Sequence, residues 1–287
     1  MSNIYIPFPQ YENAVFCGDK AAEILGALRI YSRALIGGEV PSMELLHPAE
    51  KPLECISCLL GAPERILKSA LRRMAADYVL LEDNGKENFN PAVLKDTIES
   101  FGYPVRVLDV KGSADEILRR AGILYGAEKQ AERVIRDRKE RTERLKGLGI
   151  PRGRRLVILL GIRNPVRNES YCFRVAAHSE LSQLLEENFG AVNLFEGSPE
   201  NDLITGIQEL SRIEELFEMD PDLICCTGDA LASMTRMRNA FTRTTEAQSQ
   251  CRAMREGRIA ALPYYCDALS WRAPVILEEW AEALSWE

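Results

Sequence analysis

The residues with the widest chemical range in this 287-residue chain are its eight cysteines: Cys17, Cys55, Cys58, Cys172, Cys225, Cys226, Cys251 and Cys266. Thiolates take soft or borderline metals such as zinc, copper(I) and iron–sulfur clusters, whereas buried thiols act as small hydrophobes. Cys17 follows an apolar run, Cys225 and Cys226 end another, and Cys266 follows a third. On that placement Cys17, Cys172, Cys226 and Cys266 are candidate ligands for a metal or cluster. Cys55-Ile56-Ser57-Cys58 adds a possible bidentate pair, without a second pair at zinc-finger spacing.

Arginines and tyrosines offer a second chemistry. Arg163, Arg167 and Arg174 stand together with Tyr171 and Cys172 in what reads as a loop after Leu160. Guanidinium forks match carboxylates and phosphates, so these three could hold an anionic ligand. Tyr171, Tyr264 and Tyr265 could stack on a planar ligand or ligate haem iron, or pack with the hydroxyl at the surface. His47 and His178 are the only histidines, so a three-histidine zinc site is excluded by count. Gly-x-Ser-x-Gly, a Gly-rich phosphate loop and His-Glu-x-x-His are all absent. Cys172 and His178 as a nucleophile and base have only nearness in sequence to support them. The expectation is a binding protein, not an enzyme.

A net charge of −7 argues against a nucleic-acid partner, and 46% hydrophobic residues suffice for a buried core. No stretch has the ~18 uninterrupted apolar residues of a transmembrane helix. Residues 1–20 show no basic start and apolar core. The chain as written reads as cytoplasmic, and as exported or periplasmic if a leader was removed. Eight thiols without a leader favour a reducing compartment.

The elements that must position these groups alternate. Strands are expected at 14–17, 35–36, 77–81 and 104–108, with helices at 21–28, 66–74 and 91–101 and a loop over most of 41–63. Helices follow at 114–125 and 128–146; the second is rich in Lys, Arg and Glu, as suits a helix bridging two domains. After a Gly/Pro turn, strands are expected at 156–160, 191–194, 223–226 and 259–262, with helices at 179–188, 213–218 and 274–285. Alternating strands and helices make parallel sheets covered by helices. The fold class is therefore α/β: two lobes, each a mostly parallel sheet flanked by helices, joined by one long helix. The expected divisions are 1–112, a linking region 113–150, and 151–287. Ligands of open α/β sheets bind outside the carboxyl ends of the strands, which selects Cys17, Arg163, Arg167, Tyr171, Arg174, Cys226, Tyr264 and Tyr265 as candidate ligand contacts.

Four stretches carry a family resemblance: 14–28 with Ala22-Glu23-Ile24-Leu25; 100–107, Ser-Phe-Gly-Tyr-Pro-Val-Arg-Val; 117–135 with Gly122-Ile123-Leu124-Tyr125-Gly126; and 211–259 with Ser211-Arg212-Ile213-Glu214, Asp220-Pro221-Asp222 and Arg255-Glu256-Gly257-Arg258. In this order they resemble the class III substrate-binding proteins of ABC importers. The resemblance implies two lobes closing on an iron-siderophore, haem, cobalamin or metal ion, and a permease partner docked through a Glu on each lobe. Glu214 matches the second-lobe position; in the first lobe Ser69 stands where the family has Glu, and Glu64 is out of register. The bound group could be iron, an iron–sulfur cluster, haem or a corrinoid. A cytoplasmic relative carrying a metal or metallocofactor, and a cluster-bearing enzyme subunit, are the alternatives.

Overall fold

The structure is a computed structural model that describes residues 9–37, 50–86, 90–164, 169–204, 206–243, 251–262 and 272–285. It divides into two compact units, residues 1–140 and 141–287.

The described residues of the first unit form five parallel strands: β1 (Gln10–Cys17), β2 (Ile30–Gly37), β3 (Lys51–Cys55), β4 (Tyr78–Asp83) and β5 (Val105–Asp109), in the spatial order β3-β2-β1-β4-β5. One face packs Val15, Cys17, Ile36, Val79 and Leu81 against Ile56, Leu59, Leu67, Leu71 and Ile98 from the helices Ile56–Gly61, Pro63–Met74 and Lys95–Ser100. On the other face Phe16 meets Tyr125 edge-on, with ring centroids 6.3 Å apart. Burial on both faces explains the near-continuous apolar runs Ala14–Cys17 and Val79–Leu81. Region 41–63, expected to be loop, supplies β3 and the helix Ile56–Gly61 in its described part. Its prolines are compatible with both: Pro52 lies on an edge strand, and Pro63 opens the next helix.

The order of the sheet reverses between β1 and β4, and this junction is packed by the protein itself. Gly18, at φ 125°, turns the chain from β1 into the helix Asp19–Ala27. Glu82, near the end of β4 and 2% exposed, turns its carboxylate into that helix start, where Oε2 accepts the Ala21 N–H at 2.9 Å. A Cβ on Gly18 would lie 2.3 Å from the Glu82 Cβ. Nearby, a Cβ on Gly37 would lie 1.9 Å from Asp19 Oδ1.

The helix Ala114–Tyr125 starts in a capping box between Ser113 and Glu116 and ends at Gly126 in the left-handed region. The helix Glu128–Lys146 follows at once. Its first part packs on unit 1 through Ala131, close against Gly122, and through the pairs Arg119–Glu132 (2.7 Å) and Arg138–Asp115. Its last turns belong to unit 2, where Arg141 pairs with Glu278 at 2.7 Å and Leu145 is buried in the core. The sparse apolar positions of this helix are thus used at both ends, and the charges between them are largely paired.

The described residues of the second unit form a mixed sheet of seven strands. Its parallel part is β12 (Ile259–Ala261), β11 (Leu223–Gly228) and β6 (Arg155–Asn164), with the two-residue β8 (Val192–Asn193) also beside β6. Its antiparallel part is β7 (Glu169–Val175), β10 (Ile207–Glu209) and β9 (Asp202–Ile204). The antiparallel part departs from the expectation: β6 continues four residues beyond the expected end at 160, to Asn164, and β7 pairs back along it. Its alternation, Tyr171, Phe173 and Val175 against Cys172 and Arg174, is the period of a strand. The helix Ala230–Phe241, also not expected from sequence, starts at Asp229, whose side chain accepts the Ala232 N–H at 3.0 Å.

Gly18→Ala forces a Cβ into Glu82 and a backbone region that L residues rarely adopt. It is expected to cost at least about 2 kcal/mol, read as a lower urea midpoint at unchanged m-value. Gly102→Ala, with open space around its Cβ, adds a control for positive φ alone.

Candidate functional site

Strand carboxyl ends are where ligands of open α/β sheets are held. In unit 1 that edge comprises Cys17–Asp19, Gly37, Cys55 and Glu82–Asn84. Cys17 closes β1 and is fully buried, and burial followed by the charge of Glu82 pushes its thiol far up. A neutral thiol in an apolar core is a packing group. Glu82 Oε1 accepts from the Asn84 amide at 3.3 Å. The helix start that could bind an external anion is therefore satisfied from within. Beside it, Asp83 pairs with Lys111 at 2.5 Å, and that bond, followed by the Asn90 amide, holds the Asp83 carboxyl below its ordinary value.

In unit 2 the same edge is drawn tight. The Asp229 N–H donates to the Gly161 carbonyl at 2.7 Å. A Cβ on Gly161 would lie 2.0 Å from the Asp229 carbonyl oxygen, and one on Gly228, at φ 68°, 2.4 Å from the Gly161 carbonyl oxygen. Only glycine at these two positions lets β6, β11 and the following helix meet this closely.

The register of β6 with β7 places the predicted contacts. Arg163 is opposite Ser170, Ile162 opposite Tyr171, Gly161 opposite Cys172, and Leu159 opposite Arg174. Opposed residues share a face, and neighbours along a strand alternate. Arg163, Cys172 and Arg174 therefore lie on one face of the sheet and Tyr171 on the other. Along β6 the two arginine positions are four residues apart, roughly 13 Å. Arg163 is exposed at the carboxyl edge, while Arg174 is set back from it and half-buried. Tyr171, 38% exposed, hydrogen-bonds Glu169. Arg167, Tyr264, Tyr265, Cys266 and His47 lie outside the described residues.

Arg174 is held by a chain of polar contacts that the sequence did not reveal. Its Nη2 donates to Gln208 Oε1 at 3.0 Å. The Gln208 amide in turn donates to Asp202 Oδ1 at 2.9 Å and to the Ser198 carbonyl at 2.7 Å. Asp202 also accepts the Gly206 N–H at 2.7 Å and meets His178 Nε2 at 3.1 Å. Burial works against the Asp202 carboxylate, but Gly206, Gln208 and His178 together hold it below its ordinary value. The Nε of Arg174 is buried and has no hydrogen-bond partner among the described residues. Gly197 leaves room for Gln208, whose Oε1 would lie 2.4 Å from a Cβ there.

Cys172 and Cys226 share the face that packs Val157, Leu159, Phe195 and Met237. The Cys172 thiol donates to Ser233 Oγ at 3.5 Å. Burial, and then the proximity of Cys172, pushes the Cys226 thiol up to about 12, and burial also raises Cys172. β11 runs on to Gly228, so Cys225 and Cys226 stand inside the strand and not at its end. The two sheet faces divide them: Cys225 packs with Ile158, Leu160 and Trp280, and Cys226 with Cys172. Among the described residues no group of three or more His, Cys, Asp or Glu side chains is arranged to hold a metal. Glu214, half-buried, precedes the short helix Glu215–Glu218 in unit 2.

No protein-family model matches the sequence, and no curated protein matches it. Solved structures match over nearly the whole chain. The periplasmic heme-binding protein RhuT from Roseiflexus sp. RS-1 is 14% identical, with a TM-score of 0.65 over 96% of this chain and 98% of that one. The periplasmic heme-binding protein BhuT, in complex with two hemes, is 13% identical, with a TM-score of 0.66 over the same shares. The triscatecholate siderophore binding protein FeuA from Bacillus subtilis, complexed with ferri-bacillibactin, is 16% identical, with a TM-score of 0.59 over 98% of this chain and 94% of that one. The chain has the fold of these binding proteins.

Asp202→Asn tests the network that carries Arg174. Because the Asp202 carboxyl is depressed in the folded state, its contribution is complete above the ordinary value of 3.8 and is lost as pH falls through the lower folded value. The variant is expected to lose roughly 1–2 kcal/mol at neutral pH and to converge on the wild type in urea unfolding series as pH falls below the depressed folded value.

Proposed function

We propose that this chain is a solute-binding protein that captures a metal complex of the ferric-siderophore or haem type for an ABC importer. One observation carries the reading: the likeness to haem- and siderophore-binding proteins extends over 96–98% of this chain and 94–98% of theirs. Coverage of that extent includes both units and the helix between them, so the match is to a whole binding protein and not to a shared α/β domain.

The ligand chemistry follows from what the carboxyl edges offer. Haem propionates and catecholate siderophores are anionic, and the recognising groups would be the arginines of the β6–β7 hairpin. Arg174 is the most prepared of them. Gln208 fixes the orientation of Arg174, whose buried Nε has no partner among the described residues, and a held guanidinium loses little freedom when it closes on a carboxylate. Arg163 and Arg167 are its proposed companions. Tyr171, Tyr264 and Tyr265 are proposed as aromatic contacts or, for haem, as oxygen ligands to iron. A binding role needs no acid–base pair, and the carboxylates and thiols at both edges are engaged in packing and capping.

The test is titration of the metal-free chain with hemin and, separately, with a ferric tris-catecholate, followed by visible absorption and calorimetry. Saturable binding of one of them at a single stoichiometry is expected, with micromolar or tighter affinity. Arg174→Gln is expected to weaken it about tenfold or more, the worth of one charge-assisted contact, with fold stability near that of the wild type. No saturable binding of either compound would overturn the reading.

Glu214 is proposed as the carboxylate that docks against arginines of the permease, a contact that sets register. Glu214→Arg is expected to reduce ligand uptake by cells severalfold while leaving the affinity of the purified protein unchanged. A parallel loss of ligand affinity would place Glu214 in the binding site instead.

A further inference from the structure

The pair Cys55 and Cys58 takes no part in the binding chemistry above, and its surroundings differ from those of the other described cysteines. Cys17, Cys172, Cys225, Cys226 and Cys251 are buried; Cys55 is half-buried and Cys58 exposed. The two belong to one local structure. Cys55 is the last residue of β3, opposite Gly37 of β2, and caps the helix Ile56–Gly61. Its sulfur accepts the Cys58 N–H at 3.3 Å, which puts both side chains on the same side of the first helical turn. Their Cα atoms are then roughly 5–6 Å apart, inside the span a disulfide bridges without moving the backbone.

We infer that Cys55 and Cys58 form a redox-active dithiol that exchanges with low-molecular-weight disulfides and closes to an intramolecular disulfide. The roles of the two sulfurs follow from the bonds. Cys55 accepts from the Cys58 N–H, and the Cys58 thiol is raised first by its own hydrogen bond to Cys55. The backbone donor held on the Cys55 sulfur assigns Cys55 as the attacking sulfur and Cys58 as the resolving one. Nucleophilic attack is by thiolate.

The sequence of bonds is balanced. The Cys55 thiolate attacks one sulfur of an incoming disulfide, forming a mixed disulfide and releasing one small thiolate. Cys58 then gives its proton to solvent and attacks the Cys55 sulfur, breaking the mixed bond and releasing the second small thiolate. Two protein thiols are oxidised, one small disulfide is reduced to two thiols, and the protons lost by the protein are taken up by the leaving thiolates. The position of the pair gives this chemistry a structural consequence. Closing the bond ties the carboxyl end of edge strand β3 to the first turn of the helix that packs Ile56 and Leu59 into the unit 1 core. The inference does not rest on the ligand reading and holds for any ligand.

The experiment uses the full chain equilibrated across buffers of reduced and oxidised glutathione, quenched in acid, alkylated, digested and weighed by mass spectrometry. A Cys55–Cys58 disulfide that appears with two-electron dependence on the buffer ratio is expected. Cys58→Ser is expected to stop at glutathione bound to Cys55, and Cys55→Ser to react at Cys58 about tenfold more slowly than the wild-type pair. Because Cys58 is exposed, far-UV circular dichroism of the serine variants is expected to match wild type. Two sites that stay fully alkylatable in the most oxidising buffer would overturn the inference, as would glutathione retained on Cys58 in the wild type without closure. Hemin or catecholate binding is not read in this assay, so a negative result here and one there are separate.

Discussion

The buried carboxylate of Glu82 is the constraint on which the first unit is organised. A carboxyl group at 2% exposure is costly unless it is bonded, and the Ala21 N–H at the start of the helix Asp19–Ala27 answers it. That single contact fixes how β1 turns into its helix, requires glycine at position 18, and closes the junction at which the sheet order reverses. In dinucleotide-binding sheets a helix start at this junction receives a phosphate. Here the protein's own carboxyl group occupies the role.

The second unit reaches a comparable result by different means. Its central strands meet the helix Ala230–Phe241 through Gly161 and Gly228, with backbone so close that no side chain fits between. The Asp229 N–H is spent on the Gly161 carbonyl, and the Asp229 side chain on the Ala232 N–H. Backbone donors at this edge are thus spent on the protein's own carbonyl and carboxylate oxygens. The polar chain from His178 through Asp202 and Gln208 to Arg174 then has a clear physical purpose. It satisfies a mostly buried carboxylate and, through it, sets the pose of a guanidinium.

Cysteine usage follows the same logic of burial. Five of the described thiols sit in apolar cores, and at Cys17, Cys172, Cys226 and Cys251 desolvation pushes the thiol up. Cys172 and Cys226 are close to each other but surrounded by Val157, Leu159, Phe195 and Met237, an environment suited to packing. Cys55 and Cys58 differ because they lie at an edge strand and the helix it caps, where solvent reaches them. Position in the fold, and not residue type, separates the two chemistries.

The sequence by itself determined the alternation of strands and helices, because burial on both faces of a parallel sheet writes itself as short apolar runs, as at Val79–Leu81 and Leu156–Leu160. It also determined the helices Ala114–Tyr125 and Glu128–Lys146, whose caps and charge pattern are local signals. The resemblance in ordered motifs pointed to the fold that the solved structures share. Tertiary structure alone decided the rest. The β6–β7 hairpin was hidden because its half-exposed strand mixes Arg174 and Tyr171 with apolar residues and reads as loop. The helix Ala230–Phe241 was hidden because its one clear sign, the Asp229 cap, is short. Which face Arg163, Tyr171 and Arg174 occupy depends on cross-strand register, which pairs residues far apart in the chain. The partners of Glu82 and Arg174 come from a helix and from another strand, far off in the chain, and hydrogen bonds between distant segments leave no periodic trace in the sequence.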